Sequence, residues 1–306
     1  MTRYLVQRIT AAAITIWVAT VAVTLLVHAV PGDPVRIMYA KFQATPEQIE
    51  AIRANLGLDQ PIYIQYGMYM GRLLQGDLGR SIVGDQPVLD ILLTRFPPTL
   101  MLAATSLVIA MVLGLSLGFL AAYRRGTAVD VGAMVVAVLG VSIPHFWLGL
   151  MLLFFFALKL GWLPVAGSDL RSLVLPALTL GIANAAVLAR LTRSAMIDIF
   201  DQDFVRTAWA KGLPKTIVLY RHALRAGLVP IVSMMGMQFA YMMGGAIVVE
   251  NVFAWNGVGR LAIEAVFARD YPLIQGFILF FATVVVLVSV VIDVLYALLD
   301  PRIRYG

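Results

Sequence analysis

Six apolar runs punctuate the chain. Windows free of Asp, Glu, Lys and Arg extend over residues 9 to 32, 96 to 123, 131 to 158, 172 to 189, 226 to 249 and 271 to 292. About 20 helical residues cover the hydrocarbon core of a bilayer, so each window is expected to be a membrane-spanning helix. The fourth is the shortest at 18 residues. Leu188, Leu191 and Ala195 keep a helical stripe beyond it, so its helix is expected to continue past Arg190 and Arg193. The first run follows Arg3 and Arg8, as in a signal peptide, but it is over 20 residues long. The apolar stretch of a signal peptide is roughly 7 to 15, so this one reads as an uncleaved span. It ends at Pro31-Gly32-Asp33-Pro34, which cannot stay helical.

Polar residues collect between the windows. The 63 residues from Asp33 to Arg95 are the only sizeable extramembrane piece. Thr45-Pro46-Glu47 opens a helix expected to continue through Asn55, and the alternation of helix signals with Gly and Pro predicts a small ordered subdomain. A second polar stretch, DFVRTAWAKGLPKTIVLYRHALRAGLVP, runs from Asp203 to Pro230. A helix over Phe204–Lys211 is expected, with Asp203 accepting from its first N–H groups. Gly212 should stop it in the left-handed conformation, with Lys211 at the negative end of the dipole and Pro214 barring continuation. Phe204, Val205, Ala208 and Trp209 gather on one side, while Arg206 and Lys211 keep the other polar. A second helix carrying Lys215, Arg221, His222 and Arg225 starts near Pro214. Such a capped, two-faced helix beside a bilayer suits the passing of force to a soluble partner. A basic loop lying on anionic lipid is the alternative.

Composition sharpens the membrane reading. The chain of 306 residues is 61% hydrophobic and 13% charged, with a mean hydropathy of +0.88. Soluble domains carry about 25% charged residues. The net charge of +6 does not indicate nucleic acid, because the cations sit at the ends of apolar runs and no base-reading motif accompanies them. With the N-terminus inside, the inner segments hold 13 Lys and Arg against four in the short outer loops. That asymmetry places both termini and the loop 190–225 in the cytoplasm. The expected organisation is a first span at 1–32, an extracytoplasmic subdomain at 33–95, a five-span core at 96–300 and a tail at 301–306. No cysteine is present, so disulfides and thiolate chemistry are excluded.

Few constellations suggest catalysis. Gly114-Leu115-Ser116-Leu117-Gly118 matches both the G-x-S-x-G of serine hydrolases and the G-x-x-x-G of close-packed membrane helices, and the second reading is favoured. His28, His145 and His222 stand far apart without carboxylates at ligand spacing, so no metal site is expected. His145 follows Pro144, which is expected to kink the third span. The fifth span carries Met234, Met235, Met237, Met242 and Met243 among Ser233, Gln238 and Tyr241. A soft Met-rich wall would suit a path for varied cargo. Ser233, Met237, Gln238 and Tyr241, with Asn184 from the fourth span, are the candidate lining residues, since polar groups at that depth avoid lipid. Asp293 reads as structural. No phosphate-binding G-x-x-x-x-G-K-[ST] stretch exists, so this chain is expected to bind no nucleotide or other cofactor.

The segment RTAWAKGL followed by HALRAGLVP resembles the EAA loop of ABC-importer permease subunits, in the variant of the dipeptide and oligopeptide permeases. Thr207 stands where that motif usually has an acidic residue. LGLDQPIYIQYGMYMGRLLQGDLGRSI (56–82), VVENVFAWNGVGRL (248–261), RDYPLIQG (269–276) and the ending DVLYALLDPRIRYG resemble further signatures of the same family, in family order. The resemblance implies an all-α polytopic fold: the six-helix type I ABC importer permease with a small extracytoplasmic insert after the first helix. It implies a non-enzymatic subunit of the bacterial inner membrane that forms half of a path for dipeptides, oligopeptides or glutathione. A second homologous permease subunit, two ATPase subunits holding ATP and Mg, and an extracytoplasmic solute-binding protein are the implied partners. Phe204, Arg206, Thr207, Ala208, Trp209, Lys211, Gly212 and His222 are the residues it assigns to ATPase coupling. Transport of nickel complexes or haem falls within the same family, and a self-sufficient secondary carrier or channel is the alternative outside it.

Overall fold

The computed structural model describes residues 2–29, 45, 47–50 and 59–299. The expected break at 31–34, the continuation of the Thr45 helix to residue 55 and the tail lie outside the described residues, as do the side chains of His28, Ser233 and Asp293. Ten helices are described: α1 (Thr2–Ala29), α2 (Ile62–Leu74), α3 (Val88–Tyr123), α4 (Ala128–Ser142), α5 (His145–Leu152), α6 (Leu170–Phe200), α7 (Asp203–Ala210), α8 (Arg225–Val252), α9 (Val258–Ala268) and α10 (Tyr271–Leu299). π-Helical turns follow α5 at Leu153–Lys159 and precede α8 at Ile217–Leu224. The only pairing of extended chain among the described residues is an isolated bridge between Arg80 and Pro87.

Four helices are long and apolar enough to cross a bilayer, in α1, α3, α6 and α10, and the bent pair α4–α5 makes up to five. The window 226 to 249 lies wholly inside α8, and the expectation of six spans rests on that window for its last member. The break between α4 and α5 turns the axis by 98°, far more than a proline kink. Ile143 and Pro144 both adopt extended backbone, because a proline disfavours helix in the residue before it.

The chain divides into two compact units, Met1–Pro97 with Arg260–Leu287 and Pro98–Gly259 with Val288–Gly306. In the first, α1 meets α2 through a 2.9 Å hydrogen bond between the Thr20 and Tyr66 hydroxyls, and Gln275 of α10 donates to the Val23 carbonyl of α1. Phe96 meets Phe280 edge to face at 5.3 Å. Thr45 and Gln48 exchange hydrogen bonds, Thr45 N–H to Gln48 Oε1 at 2.9 Å and Gln48 N–H to Thr45 Oγ1 at 3.3 Å. This is the expected N-terminal box, closed by Gln48. The buried Asp270 caps α10 by accepting from Leu273 N–H, and it also accepts from the Ser81 hydroxyl and the N–H groups of Ile82 and Val83. Two signatures that lie 189 positions apart in the sequence are thereby clamped together.

In the second unit α6 is the central helix, with over three quarters of its span window buried. Asp169 starts it by accepting from Ser172 N–H at 2.9 Å, and hydrogen bonding from Ser172 holds the Asp169 carboxyl below its usual range. The helix passes Arg190 and Arg193 as expected and ends at Phe200. Helix α3 lies so close to α6 that a Cβ on Gly114 would come within 2.8 Å of the Ala185 carbonyl, and one on Gly118 within 2.7 Å of Thr192 Cβ. The packing reading of Gly114–Gly118 therefore holds, while Ser116 between them is exposed. A Cβ on Gly140 of α4 would likewise stand 2.9 Å from Ala186 Cβ of α6.

Replacing Gly118 by Leu should lower the thermal stability of the purified assembly by an amount typical of overpacking, about 1–3 kcal/mol, whereas Ser116→Ala should be near neutral. Equal melting temperatures for Gly118→Leu and the unsubstituted chain would contradict the contact. Asp270→Ala should accelerate hydrogen exchange at Ile82, read by mass spectrometry, because that amide loses its acceptor, and less at Val83, whose N–H also donates to the Ser81 hydroxyl.

Candidate functional site: the turn between α6 and α8

Helix α7 begins one residue earlier than expected. Asp203 is already helical, and Gln202, in extended conformation, occupies the capping position without a side-chain bond. Asp203 instead lies in the first turn, where its charge favours the dipole, 3.7 Å from exposed Arg206. The stop is as expected. Gly212 has φ +71, its N–H donates to Trp209 O at 2.9 Å, and Leu213 N–H reaches back to Ala208 O at 3.4 Å. These two bonds form a Schellman motif, which needs a residue free to adopt positive φ.

The apolar side of α7 divides in two. Val205, 2% exposed, and Ala208 sink into a cluster with Ala122 of α3, Met196 and Ile199 of α6, Val218 and Ala223 of the π-helical turn, and Ile231 of α8. Phe204 and Trp209 flank that stripe and stay in the open, Trp209 at 45%. Arg206, Thr207, Lys211 and Gly212 are exposed, Thr207 Oγ1 donating to Asp203 O, and His222 is half-buried in the π-helical turn. One helix therefore carries a locked inner face and an aromatic outer face. The neighbourhood is stiffened by aromatic contacts: Phe119 stacks on Tyr220, and Lys215 Nζ lies 4.5 Å from the Tyr123 ring centroid.

The candidate lining residues do not form one group. Asn184 is buried, donates to Leu180 O at 2.7 Å, and accepts from the Gln238 amide. The two polar residues thus satisfy each other. Met242 and Met243 are fully buried and Met235 packs against the α7 cluster, so the expected methionine wall is not continuous. A helix turns each successive side chain by about 100°, so Met237 and Met242, five residues apart, point about 140° away from each other. Met237 and Tyr241, four residues apart, are highly exposed and continue along α8 to Gly244 and Val248.

The N-terminal stretch, residues 1–103, matches the family described as "Binding-prot-dependent transport system membrane comp, N-term", and residues 114–305 match "Binding-protein-dependent transport system inner membrane component". Over all 306 residues, and the full length of both relatives, the chain is 46% identical to the glutathione transport system permease protein GsiC of Escherichia coli CFT073 and 45% identical to that of strain K12. The chain belongs to the membrane components of binding-protein-dependent transport systems. The fold agrees. A chain of the MetNI methionine ABC transporter in an inward-facing conformation aligns with a TM-score of 0.57 at 16% identity, covering 69% of this permease and 97% of that chain. A chain of an amino acid ABC transporter with histidines aligns at 0.53 and 16%, covering 70% and 94%.

Two buried acids of the permease escaped the sequence reading. Asp130, at the start of α4, receives both Nε and Nη2 of Arg193, at 2.5 and 2.8 Å, together with Gly126 N–H at 3.0 Å, and so ties α4 to the extension of α6. Glu250, fully buried near the end of α8, accepts from Thr99 Oγ1 at 2.5 Å and Gly259 N–H at 2.8 Å. Val258 N–H in turn donates to Thr99 Oγ1. The glycines of Trp255-Asn256-Gly257-Val258-Gly259 make room for that carboxylate, since a Cβ on Gly259 would stand 2.5 Å from Ile247 Cα and 2.9 Å from Glu250 Oε2. The available signal was an acid inside an apolar run followed by G-x-G.

The division of α7 into two faces is measurable. Val205→Ala should loosen the helix by about 2 kcal/mol, raising exchange of the α7 amides, whereas Phe204→Ala should leave them unchanged. Equal effects would mean that the two residues share one environment.

Proposed function

We propose that this permease forms one half of an ATP-driven path for a small peptide, with glutathione the first substrate to test because relatives of that name are 45–46% identical end to end. A second homologous permease subunit supplies the other half. An extracytoplasmic solute-binding protein delivers cargo, and two ATPase subunits bind ATP and Mg. The cation distribution supports cytoplasmic termini in a bacterial inner membrane, with residues 33–95 as an extracytoplasmic insert and 96–300 as the core.

The observation that carries this reading is α7, whose exposed Phe204 and Trp209 sit back to back with Val205 and Ala208, buried against α3, α6 and α8. A partner gripping the outer face moves the inner one. Buried aromatics are the usual anchors of an interface, so Phe204 and Trp209 fill the ATPase cleft while Arg206, Thr207 and Lys211 form its rim. His222, half-buried in the π-helical turn that follows Gly212, belongs to the same coupling element. For transport the ATPase must hold this surface more tightly in one state of the path than in the other, since equal grip would shift nothing. Met237 and Tyr241 line the path, with Gln238 and Asn184 behind them.

Gly212→Val should insert normally and permit ATP hydrolysis by the reconstituted complex, but glutathione uptake into proteoliposomes should fall by about tenfold or more. A β-branched residue at this φ costs about 1–2 kcal/mol and re-aims the cleft-facing turn. Normal uptake would dismiss the lever. Trp209→Ala should weaken ATPase association by about tenfold in a pull-down titration, the loss of a typical hot spot.

A further inference from the structure

The hydrogen bond between Asn184 of α6 and Gln238 of α8 has its direction fixed from one end. Asn184 Nδ2 donates to Leu180 O at 2.7 Å. A carbonyl oxygen only accepts, so the Asn184 amide cannot be turned over, and Oδ1 is the atom it offers to α8. Gln238 must then answer with Nε2, and it does. The bond uses only half of the Gln238 amide. Gln238 Oε1 takes no hydrogen bond among the described residues and is not enclosed by them.

That oxygen stands at the edge of the open side of α8. With Met237 as reference and about 100° per residue, exposed Tyr241, Gly244 and Val248 fall within about 40° of it, half-buried Gln238 at about 100° and buried Met242 at about 140°. Gln238 therefore lies where the exposed stripe meets the packed one. It is also at the middle of the apolar window 226 to 249, which holds no Asp or Glu. An amide oxygen at that depth meets no donor in lipid, and leaving it unpaired is costly.

We propose that Gln238 contacts cargo, its Oε1 accepting from a peptide N–H of the substrate in transit, and that Asn184 is the positioning residue that keeps this oxygen turned outward. The inference rests on the path proposed along Met237 and Tyr241. A peptide N–H fits better than an ammonium group, because no carboxylate stands in this window to balance a positive charge. One neutral bond of this kind orients cargo without trapping it, since its net worth is a factor of about two to ten.

The test removes the same bond from either side. The reconstituted transporter in proteoliposomes is given glutathione, or glutathione methylated on both peptide nitrogens. Each is supplied at a concentration that saturates the solute-binding protein, so that selection by that partner drops out. The unsubstituted complex should take up glutathione about five- to tenfold faster than the methylated form. Gln238→Met and Gln238→Ala should bring the two rates together, and either variant alone decides the question. Asn184→Ala should also draw the ratio towards one, because Gln238 is then free to turn; a merely structural loss would slow both cargoes alike and leave the ratio intact. A ratio that persists in the Gln238 variants, as when a donor from the second permease subunit occupies the oxygen, overturns the proposal. Equal rates in the unsubstituted complex overturn it too. Absence of all glutathione uptake by the unsubstituted complex is a different result, which dismisses the glutathione reading and this inference with it.

Discussion

Close approach of α6 to its neighbours is the constraint on which the second unit depends. Lipid tails are as apolar as leucine, so apolar helices gain little by meeting one another and must be held by van der Waals contact between backbones. Gly114, Gly118 and Gly140 supply that contact against Ala185, Thr192 and Ala186. Small residues on both sides let α3 and α4 seat on one helix. The consequence is a central strut that moves with whatever is fixed to it.

Helix α7 is fixed to that strut by apolar burial at its end. Val205 and Ala208 share a cluster with Met196 and Ile199 of α6, and with parts of α3 and α8. Packed interiors are bistable rather than soft, so a displacement of α7 is carried into the helices it touches. The Schellman turn at Gly212 ends the helix sharply, and the π-helical turn that follows brings Val218 and Ala223 back into the same cluster.

Among the described residues the buried acids are Asp130, Glu250 and Asp270, and all three are hydrogen-bonded. A carboxylate removed from water is costly unless paired or hydrogen-bonded. Asp130 meets a bidentate arginine, Glu250 meets a hydroxyl and an N–H, and Asp270 collects a hydroxyl with several N–H groups. Each sits near a helix end, and each fixes a turn or a neighbouring helix.

Much was legible in the order of residues because local causes produce it. Membrane helices follow from long apolar runs, since no other open structure satisfies the backbone in lipid. The turn at Gly212 follows from a glycine placed after the last helical residue, and the helix start at Thr45 from Thr45-Pro46-Glu47, although Gln48 as the residue that closes the box appears only in the structure. The cap at Asp203 was misplaced because a one-residue shift of a helix start leaves its pattern almost unchanged. What only the tertiary structure decided is which members of a pattern face one another. Val205 and Phe204 are neighbours in one apolar face, yet one is core and the other surface, because burial depends on the helices that happen to pass behind. Met242 and Met237 part in the same way, and Asn184 finds Gln238 only once α6 and α8 are side by side. The partners of Asp130, Glu250 and Asp270 lie up to 189 positions away, a distance over which no local periodicity carries information.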